Sequence, residues 1–269
     1  MKLSNPKLPQ VRLAGVLLLA LAGGLMASVP LRVDVPAGIA QGSWPVTFGV
    51  PFPEGVLTPD MTVVVTADGK ALPTQTSPLA TWDKDGTSVR WLLVDFQVDA
   101  ATAAQTNHAL HFGKDAPRAA SAKDIRVERR GDRLVIDTGA AEYVVRDRGP
   151  FRIESVKVGT GGSLSRRTQI VSPEAPARFT VTDHNGVTYE ATGDLTPDGA
   201  VIEDRGPCRV ALKSEGWYRS DKGEPFCKHV IRLEFFAGQR RIRLLHTFVF
   251  TGTSDSHQIR DLAMALPTT

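Results

Sequence analysis

Gly49-Val50-Pro51-Phe52-Pro53-Glu54-Gly55, then Trp82-Asp83-Lys84-Asp85-Gly86-Thr87-Ser88-Val89-Arg90-Trp91-Leu92-Leu93-Val94-Asp95-Phe96, is the stretch that decides the fold. Between Ser88 and Val98 apolar residues occupy both alternating sets, with Leu92, Val94 and Phe96 on one and Trp91 and Leu93 on the other. A half-exposed strand alternates apolar with polar, so this run predicts a strand enclosed by a barrel, with Trp91 in the core. Trp82 and Asp83 fall instead in a turn-rich loop, where an exposed aromatic more often binds than packs.

Working outward, the same period of two dominates the chain. After the N-terminal apolar run no window of helical length carries apolar residues at i, i+3, i+4, i+7, while short alternating runs bounded by turn dipeptides recur. Asp68-Gly69, Asp85-Gly86, Gly131-Asp132, Asn185-Gly186, Asp198-Gly199, Lys222-Gly223 and Ala237-Gly238 each offer a residue that accepts positive φ. Asn185-Gly186, between Phe179–Asp183 and Val187–Ala191, predicts a hairpin. The expected class is all-β. The polar, alanine-rich stretch Lys114–Lys123 has no period and reads as a linker, which puts a small barrel at 29–115 and a second β domain at 122–269.

The N-terminus points to export. Lys2, Lys7 and Arg12 form a positive segment, and Leu13–Met26 is an uncharged run too short for a membrane span and suited to a signal peptide, assigned to residues 1–28. Cleavage is expected between about Gly24 and Ser28, the alternative being an uncleaved anchor. The expected location is periplasmic or secreted, with no membrane association once the signal is removed. The balance of 32 basic and 29 acidic residues gives no case for a nucleic-acid partner.

Register arithmetic organises the second half. An even-length loop centred on Ala237-Gly238 sets Leu233 opposite Ile242, Glu234 opposite Arg241 and His229 opposite His246. Aligning Val210 and Leu212 with Ile231 and Leu233 across the preceding hairpin puts Cys208 near Phe235 and Cys227 near Gly216. The two cysteines are then too far apart for the roughly 4.4–6.8 Å Cα separation of a disulfide, so two buried free thiols are expected, with a disulfide as the alternative.

His229 and His246 share a stripe with Ile231, Leu233, Ile242, Leu244, Phe248 and Phe250, where a neutral histidine satisfying a core hydrogen bond is the preferred reading and acid–base chemistry the alternative. The opposite face gathers Arg209, Lys213, Lys228, Arg232, Arg241 and Arg243 with Trp217, Thr247, Glu215 and Glu234. Arginine holds a uronate carboxylate bidentately and an indole stacks on a sugar, so Arg209, Lys213, Trp217, Lys228, Arg232, Arg241 and Arg243, with Trp82 and Asp83 of the first domain, are the candidate substrate-binding residues. The competing reading is a solvated sheet face laced by cross-strand ion pairs, Glu234 with Arg241 and Glu215 with Lys228. No metal-ligand spacing and no cofactor motif is found, so none is expected.

The ordered elements Gly49–Gly55, Asp68-Gly69-Lys70-Ala71-Leu72-Pro73-Thr74-Gln75 and Trp82–Phe96 resemble the N-terminal RIFT-barrel module of exo-rhamnogalacturonan lyase-like proteins. Gly216-Trp217-Tyr218, Phe235–Gln239, His246–Gly252 and Ile259-Arg260 resemble the start of that family's central β-sandwich. The resemblance implies a RIFT-type barrel followed by an antiparallel, mutarotase-like sandwich, cut short at its C-terminal end relative to the family. In its large members pectin-degrading lyase chemistry sits on a further helical toroid, which makes a separate C-terminal α/α-toroid an expected partner.

A uronate lyase needs a base near C5 and a clamp for the enolate-like transition state. Tyr143, Tyr189, Tyr218 and the six histidines are available, none framed by a motif, and the candidate catalytic groups are His229, His246 and Tyr218. The expected function is that of an exported N-terminal portion of a rhamnogalacturonan lyase-like protein, non-catalytic alone and contributing to recognition of an acidic, plant-type polysaccharide or oligosaccharide. The alternatives are a self-sufficient carbohydrate-binding module and a small sugar-active enzyme using the histidine pair.

Overall fold

In a computed structural model, residues 10–13, 26–35, 42–120, 125–160, 163–253, 255 and 257–267 are described. Most of the segment assigned to the signal peptide lies outside them, as does 121–124 at the end of the linker. The described residues form strands and turns with no helix, in two compact units, Met1–Ala122 and Lys123–Thr269.

The first unit holds β1 (Gln10–Leu13), β2 (Ala27–Asp34), β3 (Ser43–Pro51), β4 (Thr62–Ala67), β5 (Lys70–Ala71), β6 (Thr74–Thr81), β7 (Val89–Asp99) and β8 (His108–Gly113). One sheet runs β1-β2-β8-β4-β5 and a second β3-β7-β6. Alternation sends Val46 and Val50 of β3, Leu92, Val94 and Phe96 of β7, and Val65, Leu110 and Phe112 of the other sheet into one core. Trp91 is not in it. Its side chain is 42% exposed: it lies on the face of β7 opposite Leu92, Val94 and Phe96, and β6 is bulged beside it between Pro78 and Thr81. The apolar run on both sets of β7 therefore marks one buried face and one face only partly screened.

The second unit continues with β9 (Arg126–Arg130), β10 (Arg133–Asp137), β11 (Ala141–Arg146), β12 (Arg152–Thr160), β13 (Ser163–Val171), β14 (Ala177–Asp183), β15 (Thr188–Ala191), β16 (Val201–Arg205), β17 (Arg209–Arg219), β18 (Pro225–Phe236), β19 (Ile242–Val249) and β20 (Ile259–Ala265). All pair antiparallel in one continuous sheet that folds over its own core of Leu134, Ile136, Phe151, Phe179, Leu212, Ile231, Leu233 and Phe235. Asn185-Gly186 turns the β14–β15 hairpin, with Gly186 at φ +83°.

The β17–β19 registers keep the expected faces and shift the expected partners. The turn after β18 is centred on Gly238-Gln239, one residue later than expected, so Leu233 faces Leu244, Glu234 faces Arg243, and His229 faces Phe248. His246 faces Ile231. Across β17 and β18, Val210 pairs with Phe235 and Leu212 with Leu233, up to a bulge between Trp217 and Tyr218. Cys227 is the extra residue there, at φ +62°. Cys208 and Cys227 are buried and free. They flank opposite ends of β17, roughly 30 Å apart at the strand rise of about 3.3 Å per residue, far beyond disulfide reach.

Candidate functional site

The residues singled out in the sequence fall at three places. In the barrel, the loop from Trp82 to Ser88 is held from inside by Asp83. Its carboxylate accepts the Thr87 amide (2.8 Å), the Thr87 hydroxyl (2.8 Å) and the Ser88 amide (2.9 Å). Those bonds, the Thr87 amide first, lower its pKa. Asp83 is thus the brace of the loop, with its acceptor positions directed inward. Gly86, at φ +73°, makes the tight return. Ser88 also ties the loop to the Gly49–Gly55 segment by accepting the Gly55 amide on its hydroxyl (2.7 Å).

Trp82 is 44% exposed, yet its indole N–H donates to the Phe52 carbonyl at 2.8 Å and the Arg90 guanidinium lies 4.8 Å from its ring centroid. Trp91 lies against Gly49, where a Cβ would come within 2.8 Å of indole Cε2. Two partly exposed indoles therefore rest against residues three apart, Gly49 and Phe52, in the same short segment, and the hydrogen bond fixes Trp82 there. Sequence reasoning found Trp82 and missed Arg90 and the exposure of Trp91. The signal was present in the glycine at 49, which leaves room for a ring.

The polar face of β17–β19 presents a different picture from the basic surface expected. Arg209 is 3% exposed and bonds Asp204 (2.6 Å) and Glu234 (3.0 Å), so it is unavailable to a surface ligand. Glu234 also receives Arg243 (3.0 Å), which lies over Phe236. Arg232 grips Glu203 with two bonds (2.6 and 3.0 Å), and Lys213 lies between Glu203 (3.6 Å) and Glu215 (3.5 Å). Four cations thus meet Glu203, Asp204, Glu215 and Glu234. Lys228 covers the Trp217 ring at 4.7 Å, and Arg241 is exposed at the mouth of the loop. The balance comes from Glu203 and Asp204 on β16, a strand the alternation of β17 and β18 alone does not reveal. The ion-paired reading of this face is the one the geometry favours.

Tyr218, His229 and His246 do come together, diagonally rather than as a cross-strand pair. Burial raises the pKa of Tyr218 well above its ordinary value, so its hydroxyl stays protonated, and it shares a hydrogen bond with His246 Nε2 at 2.8 Å. His246 is the exposed member, and the packing of its ring against Tyr218 and Phe248 lowers its pKa. His229 is fully buried, 5.2 Å from the Tyr218 ring, and its Nε2–H donates to the Thr192 carbonyl at 2.9 Å. Burial depresses its pKa to about 4, the Thr192 bond opposing and His246 adding to the shift. Gly216 makes the arrangement possible, because Thr192 passes so close that a Cβ would overlap its carbonyl. These are neutral histidines with internal partners. Tyr143 is likewise tied inward: burial pushes its pKa up to about 12 and its hydroxyl donates to the Arg240 carbonyl (2.7 Å). Among the described residues no three His, Cys, Asp or Glu side chains cluster as metal ligands.

Comparison with known proteins gives two family matches. Residues 125–268 match the PcRGLX-like protein central beta sandwich domain, and residues 37–111 match the PcRGLX-like N-terminal RIFT barrel domain. Among curated proteins, the chain is 28% identical over 222 residues to the uncharacterized protein YetA of Bacillus subtilis (strain 168). That alignment covers 75% of this chain and 23% of YetA, so the chain spans less than a quarter of that relative.

Proposed function

This chain belongs to the PcRGLX-like, rhamnogalacturonan lyase-like family, and on that premise we propose that it is an exported component that binds acidic pectic saccharides through the barrel surface of Trp82, Arg90 and Trp91. The observation that carries the reading is the fixed, exposed Trp82: one end of the indole is bonded to Phe52, one face is under Arg90, and the loop is braced by Asp83. An aromatic held in place loses little freedom when a sugar stacks on it, and a neighbouring guanidinium complements a uronate. The basic N-terminal segment and the apolar run after it support delivery to the periplasm or outside the cell.

In this reading the chain performs no lyase step by itself and works beside a helical toroid. Support comes from Tyr218 and His229, which are buried and internally bonded, and from His246, whose Nε2 is taken by Tyr218. None is poised to take a proton from a bound uronate. The test is calorimetric titration with rhamnogalacturonan oligosaccharides at low and physiological salt. Trp82→Ala is expected to weaken binding at least tenfold at both, and wild-type affinity is expected to fall as salt rises. Unchanged affinity in Trp82→Ala, or equal affinity for a neutral galactan oligosaccharide, overturns the reading.

A further inference from the structure

In the second unit a cleft of about 580 Å³ is lined by Ile125, Arg126, Val127, Arg205 and Gly206. It lies between β9, which pairs with β10 alone among the described strands, and the turn leaving β16, which pairs with β17 alone. Ile125 belongs to the hydrophobic core and Val127 packs against it, and together they supply an apolar floor. Arg126 and Arg205 are exposed at the rim.

Neither of these two arginines has a carboxylate salt bridge among the described residues, and they line the same cleft. Their neighbours are engaged: Arg129 with Asp147, Arg130 with Glu128, Arg133 with Glu154, Arg209 with Asp204 and Glu234, Arg232 with Glu203. The residue opposite Arg126, Asp137, has its carboxylate bonded to Arg167 at 2.7 Å, and Arg126 acts on it only through space, as the weakest of the influences on its pKa. Two guanidinia lining one cleft, neither in a salt bridge among the described residues, offer it two positive charges for an anionic ligand.

We infer that this cleft is a second saccharide subsite, in which Arg126 and Arg205 clamp the carboxylate of a uronate residue while Ile125 and Val127 lie under its sugar ring. The assignment to a uronate rests on the proposed recognition of acidic pectic saccharides; the cleft itself does not. Its volume is within the roughly 300–1,000 Å³ of small-molecule sites, far more than an inorganic anion fills. Guanidinium pairs suit a planar carboxylate, and an apolar floor suits the C–H face of a pyranose.

The test uses the full chain and digalacturonate as probe, with galactobiose as neutral control and inorganic sulfate as competitor. The double variant Arg126→Gln/Arg205→Gln is expected to lose digalacturonate affinity at least tenfold with no change in thermal midpoint, since neither side chain holds a salt bridge among the described residues. Arg126→Lys/Arg205→Lys, which keeps charge and loses the forked geometry, is expected to fall between. Full digalacturonate affinity in the Gln variant, with rhamnogalacturonan binding lost in Trp82→Ala, overturns this subsite and leaves the barrel reading standing. Sulfate competing as well as digalacturonate makes the cleft an adventitious ion site only and overturns it too. Failure of the wild-type chain to bind any acidic saccharide sinks both readings.

Discussion

Gly216→Ala tests how the Tyr218–His229 cluster is built. The new Cβ would lie 2.7 Å from the Thr192 carbonyl carbon and overlap its oxygen, and Asp194 stands 2.9 Å away. Backbone cannot swing aside as a flexible side chain does, so the β15–β17 contact must open. The bonds at risk are Thr192 N–H to the Trp217 carbonyl (2.9 Å), the Thr192 hydroxyl to the same carbonyl (2.8 Å), His229 to the Thr192 carbonyl (2.9 Å) and Trp217 N–H to Asp194 (3.0 Å). At about 1 kcal/mol each, and more where His229 is left buried without a partner, the loss is about 3–6 kcal/mol. That is a large share of a total stability of roughly 5–15 kcal/mol. The thermal midpoint should drop by roughly 10–20 °C. Gly49→Ala is the internal control, because there the obstacle is the exposed Trp91 ring, which can rotate into solvent; a cost of about 1 kcal/mol and a changed tryptophan emission are expected. Differential scanning calorimetry with tryptophan fluorescence measures both. A midpoint for Gly216→Ala within about 3 °C of wild type, no more than the shift of a single lost bond, or a larger loss in Gly49→Ala, would refute the argument.

His229 should make the second unit acid-sensitive. Its folded pKa of about 4 lies below the ordinary 6.5, so the unfolded chain binds the extra proton first. Its contribution is complete above about pH 6.5 and is lost as pH falls toward about 4, about 3 kcal/mol in all. Urea melts across that window should show the slope in wild type and a shallower one in His229→Gln; equal slopes would assign the acid sensitivity elsewhere. Export is checked by N-terminal sequencing of protein recovered from the periplasm or medium, expected to begin between Leu25 and Val29; recovery of a chain starting at Met1 would contradict cleavage.

Alternation and turn chemistry made much of this protein legible from its residues. An all-β chain, the Asn185-Gly186 hairpin and the face occupied by each residue of β17–β19 all follow from local features, because the period of two is a property of extended backbone and survives a two-residue slip. The partners did not follow. Whether the chain after β18 turns about Ala237-Gly238 or one residue later depends on loop closure, and that choice moved His246 from His229 to Ile231 and Glu234 from Arg241 to Arg243. Glu203 and Asp204, which neutralise the expected basic face, arrive on a strand whose place beside β17 is a tertiary fact. Trp91 is exposed where β6 is bulged beside β7, and Arg126 and Arg205 share a cleft because two sheet edges converge. The sequence alone determined which side chains share a face, since that is set residue by residue; only the tertiary structure decided which charges are answered and which remain open, since that depends on what is brought against them from elsewhere in the chain.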